Sequence, residues 1–438
     1  MRINQLQIKN FRGYESLSVN FQPHFNLIIG DNGSGKTALL QALTVAISSY
    51  FLGIRNVASK GILKNDVRIA TYEYSEEYQF PVEVGAIGTI NDNDFSWTRS
   101  LNGLGKSRTI NRQAKNIQEY AEYLQTIITS GNDVNLPVLA YYATGRLFDE
   151  AKDMNINSKT DEDSKAKIAS RFRAYDKCLD SKSTYKQFQK WFKSKEISRI
   201  QKRLEDSAFT LVQEAIVNNI PNCKNIYFEF DIDKPYGLKV ETTDGRILPF
   251  TYLSDGTRNF IALISDIAYK AVTLNPHLKE NALKETEGIV LIDELDLHLH
   301  PEWQRRIVKS LKETFPRIQF ICTTHSPFII QETEKDELLI IRDSKIREYN
   351  SGTNLSIEDI AEFYQNVENP QWSLKRQELF EIAPRFYDAV KNNNLTEQLK
   401  NKFEEVVKPF SNDTALFSVI KEEEILKEYL KSKDEGGR

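Results

Sequence analysis

The segment Gly30-Asp31-Asn32-Gly33-Ser34-Gly35-Lys36-Thr37 constrains this chain more than any other. It matches GxxxxGK[ST] at every fixed position, and the pattern has a physical reading. Glycines let the backbone curl until successive amide N–H groups face one concavity, where they hold an anion. A helix that starts at the loop adds the positive end of its dipole. A lysine at 36 carries charge to the β- and γ-phosphates, and a threonine hydroxyl at 37 is a Mg²⁺ ligand. The flanks are those the loop requires. Phe25-Asn26-Leu27-Ile28-Ile29 reads as a short buried strand, and Lys36 to about Phe51 as a helix with Leu39, Leu40, Leu43 and Ile47 on one face. The sequence therefore predicts ATP binding by Asp31, Asn32, Gly33, Ser34, Gly35, Lys36 and Thr37, with Mg²⁺ at Thr37.

A second segment supplies acids. Ile289-Val290-Leu291-Ile292 is an apolar strand that ends in Asp293-Glu294. Beside a phosphate loop, Asp293 can hold Mg²⁺ through water and Glu294 can polarise an attacking water. Between the two segments the pattern alternates. Strands are expected around Ile3–Ile8 and Leu17–Phe21, across 80–112, and at Pro137–Tyr142, Ile226–Ile232, Leu238–Glu241 and Ile247–Phe250; more follow at Ile318–Cys322 and Leu338–Ile341. Helices are expected near 116–130, from about Gly256 to Leu274 and at Glu302–Phe315. This is an α/β fold. Residues 146–218 are polar, glycine-free and helical in pattern, and read as a helical arm inserted mid-chain. The expected division is 1–145, 146–219, 220–350 and a helical, charged region 351–438 for partners or oligomers, in which Ile425, Leu426, Tyr429 and Leu430 form a short apolar stripe.

Composition excludes several classes. A net charge of −4 over 438 residues gives no global attraction for nucleic acid, so any basic surface must be local. Cys178, Cys223 and Cys322 form no CxxC pair, which argues against a zinc site or disulfide framework and suits a reducing cytosol, hence a cytoplasmic protein. No apolar run approaches the roughly 20 residues of a membrane helix, so no membrane partner is expected.

About 256 residues lie between Lys36 and Asp293, a separation that suggests the ABC type of ATPase. Shortly before Asp293, Leu253-Ser254-Asp255-Gly256-Thr257-Arg258 resembles the ABC signature LSGGQ, with Asp255 replacing a glycine. Ser254 is also a good helix N-cap. Asp296 resembles the D-loop aspartate, and His325 in Thr323-Thr324-His325-Ser326-Pro327 resembles the switch histidine that contacts the γ-phosphate. His298 and His300 read as structural rather than as metal ligands. With Ile8-Lys9-Asn10-Phe11-Arg12-Gly13, which resembles an opening strand whose arginine reaches the nucleotide, the chain is similar to the RecF/SMC/OLD branch of ABC ATPases, over about 1–145 and 220–345. The resemblance implies an ABC-type P-loop ATPase head with a β-meander lobe. It also implies two ATPs sandwiched in a head-to-tail dimer or higher homo-oligomer, with Ser254, Asp255, Gly256 and Asp296 acting on the nucleotide of the other copy and Glu294 and His325 as catalytic residues. No glutamine stands out as the Q-loop residue.

The arm is too short for an SMC clamp, and the 113 residues after His325 are expected to be too few for the Toprim domain of OLD nucleases. The short form resembles ATPase subunits of bacterial anti-phage systems, the Septu type first, with PARIS and retron-associated ATPases as near alternatives. The implied partner is a separate nuclease, HNH in the Septu type and Toprim in the PARIS type. A RecF-like repair ATPase and a non-hydrolysing nucleotide-switch scaffold are the competing readings. Residues 171–203 hold eleven Lys/Arg against three acids. Arg171, Arg173, Lys186, Lys190, Lys193 and Arg199 are candidates for DNA or partner contact, set against a plain solvated helix face. Tyr185, Phe188 and Phe192 fall at helical spacing and are expected to pack.

Overall fold

Alternation of buried and exposed residues along β1 (Arg2–Phe11) and β2 (Tyr14–Asn20) gives each strand one face for a core. They close as an antiparallel hairpin with Phe11 opposite Tyr14. β3 (Phe25–Gly30) is buried over its whole apolar length and leads through the glycine-rich loop into α1 (Lys36–Ile47). The predicted helix ends at Ile47, and the chain tightens into a 3-10 turn, Ser48–Gly53. A small hairpin, β4 (Ile69–Tyr72) and β5 (Ser75–Tyr78), precedes β6 (Val82–Ile90) and β7 (Asn93–Leu101), and then come α2 (Lys115–Thr129) and β8 (Val138–Tyr142). α3 (Tyr185–Lys202) and α4 (Ser207–Asn219) occupy the mid-chain region. β9 (Cys223–Glu229), β10 (Gly237–Thr242) and β11 (Ile247–Pro249) form an antiparallel three-stranded sheet. α5 (Asp255–Leu274), α6 (Ala282–Glu285), β12 (Gly288–Ile292), α7 (Pro301–Thr314), β13 (Ile318–Thr323), α8 (Pro327–Gln331), β14 (Leu338–Arg342) and β15 (Lys345–Arg347) follow. The computed structural model describes residues 1–105, 108–147, 170–180, 185–203, 206–231, 237–347 and 355–410. The expected end of the 226–232 strand at Ile232, and the stripe at 425–430, lie outside these.

The central sheet has the order β15-β14-β3-β13-β12-β8, parallel except for β15. β8, β12 and β13 are buried at every residue, as parallel strands covered on both faces must be. The second sheet, β2-β1-β6-β7, is antiparallel. Two buried polar side chains tie it to the first. Gln319 on β13 accepts from the Ile3 amide at 2.9 Å and donates to the Ile3 and Gln22 carbonyls at 2.9 and 2.8 Å. Trp97 Nε1 donates to the Ala46 carbonyl at the end of α1 at 2.9 Å. Every polar atom is satisfied, so these bonds stabilise by about 1 kcal/mol each and fix the lobe's register. α5 is held by a buried hydrogen bond: Tyr142 at the end of β8 donates to Asp266 Oδ2 at 2.7 Å, and Asp266 pairs with Lys270 one turn along the same helix.

The described part of the mid-chain region, α3 and α4, packs into a core. Phe188, Phe192 and Phe209 are fully buried, and the Phe192 ring lies 4.6 Å from Phe209. Trp191 packs 5.3 Å from Tyr269 on α5. The aromatic spacing that made α3 look amphipathic serves a core. Contacts divide the chain into two units, Met1–Ile357 and Glu358–Arg438, so the three regions expected before residue 350 form one body. In the second unit a single turn α9 (Ile357–Asp359) leads in, and α10 (Leu374–Lys391) and α11 (Glu397–Val407) pack through Leu379, Phe386, Phe403 and Val406.

This packing gives a test. Phe192→Ala should lower unfolding free energy by about 3–5 kcal/mol, the cost of emptying a buried aromatic site. A denaturant titration checks it; a loss under about 1 kcal/mol would restore the picture of a solvated arm.

Candidate nucleotide site

Because β3, β13 and β12 are adjacent and parallel, their C-terminal ends share one edge of the sheet. Open α/β sheets bind ligands at such an edge. β3 delivers residues 30–37, β12 delivers Asp293 and Glu294, and β13 delivers Thr323 to His325. In the loop, Gly33 and Gly35 take left-handed φ values of 79° and 105°. Gly35 is required for a second reason: a Cβ there would lie 2.4 Å from the Tyr14 hydroxyl oxygen. Tyr14, at the start of β2, is buried beneath the loop, and burial pushes its phenol pKa well up. Its hydroxyl and the Ser34 hydroxyl are both buried without a hydrogen-bond partner. Two orphaned polar groups, one in the glycine-rich loop and one beneath it, fit a site built for an oxygen-rich ligand. Lys36 Nζ donates to the Gly30 and Asp31 carbonyls at 2.8 and 2.9 Å. Burial lowers its pKa, while the Asp293, Asp31 and Glu294 carboxylates act in the opposite direction.

Thr37 Oγ1 donates to Asp293 Oδ2 at 3.1 Å, across 256 positions of chain. Asp293 is buried and also accepts from Thr323 Oγ1 at 2.7 Å. A hydroxyl and a carboxylate side by side are hard oxygen donors suited to Mg²⁺, whose other ligands would be phosphate and water oxygens. Among the described residues no cluster of three or more His, Cys, Asp or Glu offers another metal site. Glu294 has φ 50°, and its amide donates to Thr323 Oγ1 at 2.8 Å. Thr323 thus holds both acids of the pair. Asp296 accepts from Thr324 Oγ1 at 2.5 Å and from the His325 amide at 3.3 Å, which ties the turn after β12 to the exposed His325.

The Leu253–Arg258 segment opens α5. Ser254 is its N-cap, its hydroxyl accepting from the Thr257 amide at 3.3 Å. Gly256 has no room for a side chain, because a Cβ would lie 2.1 Å from the His298 carbonyl oxygen. Asn259 Nδ2 donates to the Leu297 carbonyl at 3.1 Å. The turn 294–298, with Glu294 and His298 both at positive φ, is therefore seated on the first turn of α5 in the same chain. Asp255, in place of a glycine, sits on the surface and pairs with Arg258; the hydrogen bond from that guanidinium lowers its pKa. His300 caps α7, its Nδ1 accepting from the Glu302 amide at 3.3 Å, a structural role.

Some expected residues lie elsewhere. Arg12 is committed to buried Asp66, with its Nε 2.9 Å and its Nη2 2.8 Å from Oδ1. Arg171 donates to the Leu274 carbonyl at 2.5 Å and to the Val134 carbonyl at 2.6 Å, so it is a tie inside the core rather than a surface contact. Arg199 pairs with Glu196 and lies over Phe209, and Lys193 lies over Phe228. Arg173 and Lys190 are exposed; the Lys186 side chain is outside the described residues. Tyr14, Thr323 and Thr324 are site residues that sequence reading missed. The two threonines stood beside His325, and the signal was a hydroxyl pair directly after a buried strand.

Two family models match, one described as an AAA domain over residues 5–222, the other as an AAA domain, putative AbiEii toxin, Type IV TA system, over residues 128–331. A retron Vc95 probable ATPase from Vibrio cholerae is 29% identical over 79% of this chain and 74% of that protein. A Septu protein PtuA from Bacillus thuringiensis is 26% identical over 77% of this chain and 75% of that protein. A solved SMC head bound to the C-terminal winged-helix domain of ScpA superposes with a TM-score of 0.48 at 19% identity, over 79% of this chain and 98% of that one. The two models together span residues 5–331, so the chain resembles AAA-type ATPases there, and its sequence is similar to the retron and Septu ATPases.

The contact at Gly256 makes a sharp prediction. Gly256→Ala should cost about 1–3 kcal/mol in a denaturant titration, because the clashing atom is backbone. Asp255→Gly, on the open surface, should change stability by less than about 0.5 kcal/mol.

Proposed function

We propose that this chain is the ATPase subunit of a bacterial anti-phage defence complex, binding and hydrolysing ATP between two copies to control a separate effector nuclease. The observation that carries the proposal is the convergence of Lys36, Thr37, Asp293, Glu294 and His325 on one edge of one sheet. Gly33 to Thr37 hold the phosphates through backbone amides, and Lys36 turns its ammonium from the loop carbonyls to the β- and γ-oxygens. Mg²⁺ at Thr37 and Asp293 would offset charge on those oxygens. Glu294 takes a proton from the attacking water, and His325 meets the γ-phosphate. Ser254 and Gly256, at the positive N-terminus of α5, close the site on the nucleotide of a second copy. The retron and Septu relatives support a defence role and a partner protein; an HNH nuclease is the favoured partner and a Toprim nuclease the alternative. The three cysteines are free and buried, in keeping with a cytoplasmic setting. Among the described residues no helix is long and apolar enough to cross a membrane.

Two variants test the reading. Glu294→Gln should bind ATP with unchanged affinity but lose about 10²–10⁴-fold in turnover, the range for removal of a general base. Lys36→Ala should lose ATP binding in a direct titration. Unimpaired turnover in Glu294→Gln would defeat the catalytic assignment, and tight ATP binding by Lys36→Ala would defeat the site itself.

A further inference from the structure

The hairpin β4–β5 belongs to neither large sheet. Every residue from Thr71 to Tyr78 is exposed, and the apolar ones are large: Tyr74 is 92% exposed, Tyr72 58% and Ile69 46%. Ile69 stands directly opposite Tyr78 on one face. A lone two-stranded hairpin is marginally stable in water, yet this one is firmly rooted. The Arg68 amide donates to the Asn10 carbonyl at 2.9 Å, the Gln79 amide to the Arg68 carbonyl at 2.8 Å and the Arg12 amide to the Asp66 carbonyl at 2.8 Å. The Arg12–Asp66 ion pair adds a charged contact at the same base. A rooted stem with a bare aromatic tip has the form of a contact surface.

Its charge says what it contacts. Glu73, Glu76 and Glu77 are exposed among the tyrosines. Arg68, the nearest cation on the strands, is paired with Glu15. Tyrosine faces and carboxylates together attract ammonium and guanidinium groups. The hairpin holds an instance already, since Lys64 Nζ lies 5.7 Å from the Tyr78 ring centroid. We propose that the β4–β5 hairpin docks a partner protein through a lysine- and arginine-rich segment of that partner. Nucleic acid would bring phosphates against three carboxylates. A second copy meeting the same patch across a two-fold axis would bring glutamates against glutamates.

The root of the hairpin is the turn Asn10–Tyr14, in which Asn10 and Arg12 take φ values of 51° and 50°. Tyr14, the last residue of that turn, is the side chain packed under Gly35. The root of the hairpin and the side chain beneath the phosphate loop thus share one turn.

The inference rests on the chain being one subunit of a larger assembly. The test is a photo-crosslink with Tyr74→p-benzoylphenylalanine in the full-length chain, expressed in its native host, with adducts identified by mass spectrometry. The expected product joins Tyr74 to a Lys/Arg-rich segment of a different protein. E76K/E77K should cut its yield at least tenfold, and reversing the charge of the crosslinked segment should restore it. The unfolding midpoint of E76K/E77K should match that of the parent, since both positions are exposed. No adduct, an adduct to a second copy or to nucleic acid, or an adduct indifferent to charge reversal would overturn the proposal. Glu294→Gln turnover decides the enzymatic reading separately, because neither crosslinking nor E76K/E77K alters the acids at the nucleotide.

Discussion

The Thr37–Asp293 contact is the interaction on which the rest depends. It joins a loop at one end of the chain to an acid 256 positions later. It can exist only if β3 and β12 run parallel with β13 between them, so that three loops leave the sheet side by side. The buried Gln319 and Trp97 bonds then hold the antiparallel lobe against this sheet, and that lobe carries Tyr14 beneath Gly35. The Tyr142–Asp266–Lys270 network holds α5, and with it Ser254 and Gly256, against β8. A buried ion pair of this kind adds little net stability, but removal of one partner is costly.

Thr323 has the most economical placement in the site. One hydroxyl donates to Asp293 and accepts from the Glu294 amide. The Asp293 carboxylate and the Glu294 backbone are therefore held by the same atom. The positive φ of Glu294 is the backbone's part in this arrangement, a conformation that costs about 1–3 kcal/mol and persists where surrounding structure enforces it.

Much of this was legible before any coordinates. The run Gly288–Ile292 is apolar without interruption, and Ile318–Thr323 is apolar but for Gln319 and the terminal Thr323, which is the mark of parallel strands covered on both faces. The loop 30–37 and the acids at 293 and 294 follow from spacing alone. The environment of cations was not legible. Eleven Lys/Arg in 171–203 looked like a basic surface, but sequence carries no information about which guanidinium meets a carbonyl or a carboxylate: Arg171 is spent inside the fold, and the exposed Arg199 is paired with Glu196. Arg12, expected at the nucleotide from the resemblance of Ile8–Gly13 to an opening strand, is paired in the structure with Asp66, a residue with no sequence feature to single it out. Phe188 and Phe192 were correctly expected to pack; that their packing would bring α3 onto the core was not, because periodicity tells which face is apolar and not what covers it.

The His298 carbonyl resting on Gly256, with Asn259 bonded to Leu297, has a consequence for how this surface can change. The turn after β12 and the start of α5 come from separate stretches of sequence, but they are cast as one piece. Neither can move without the other, so the surface they share behaves as one rigid element.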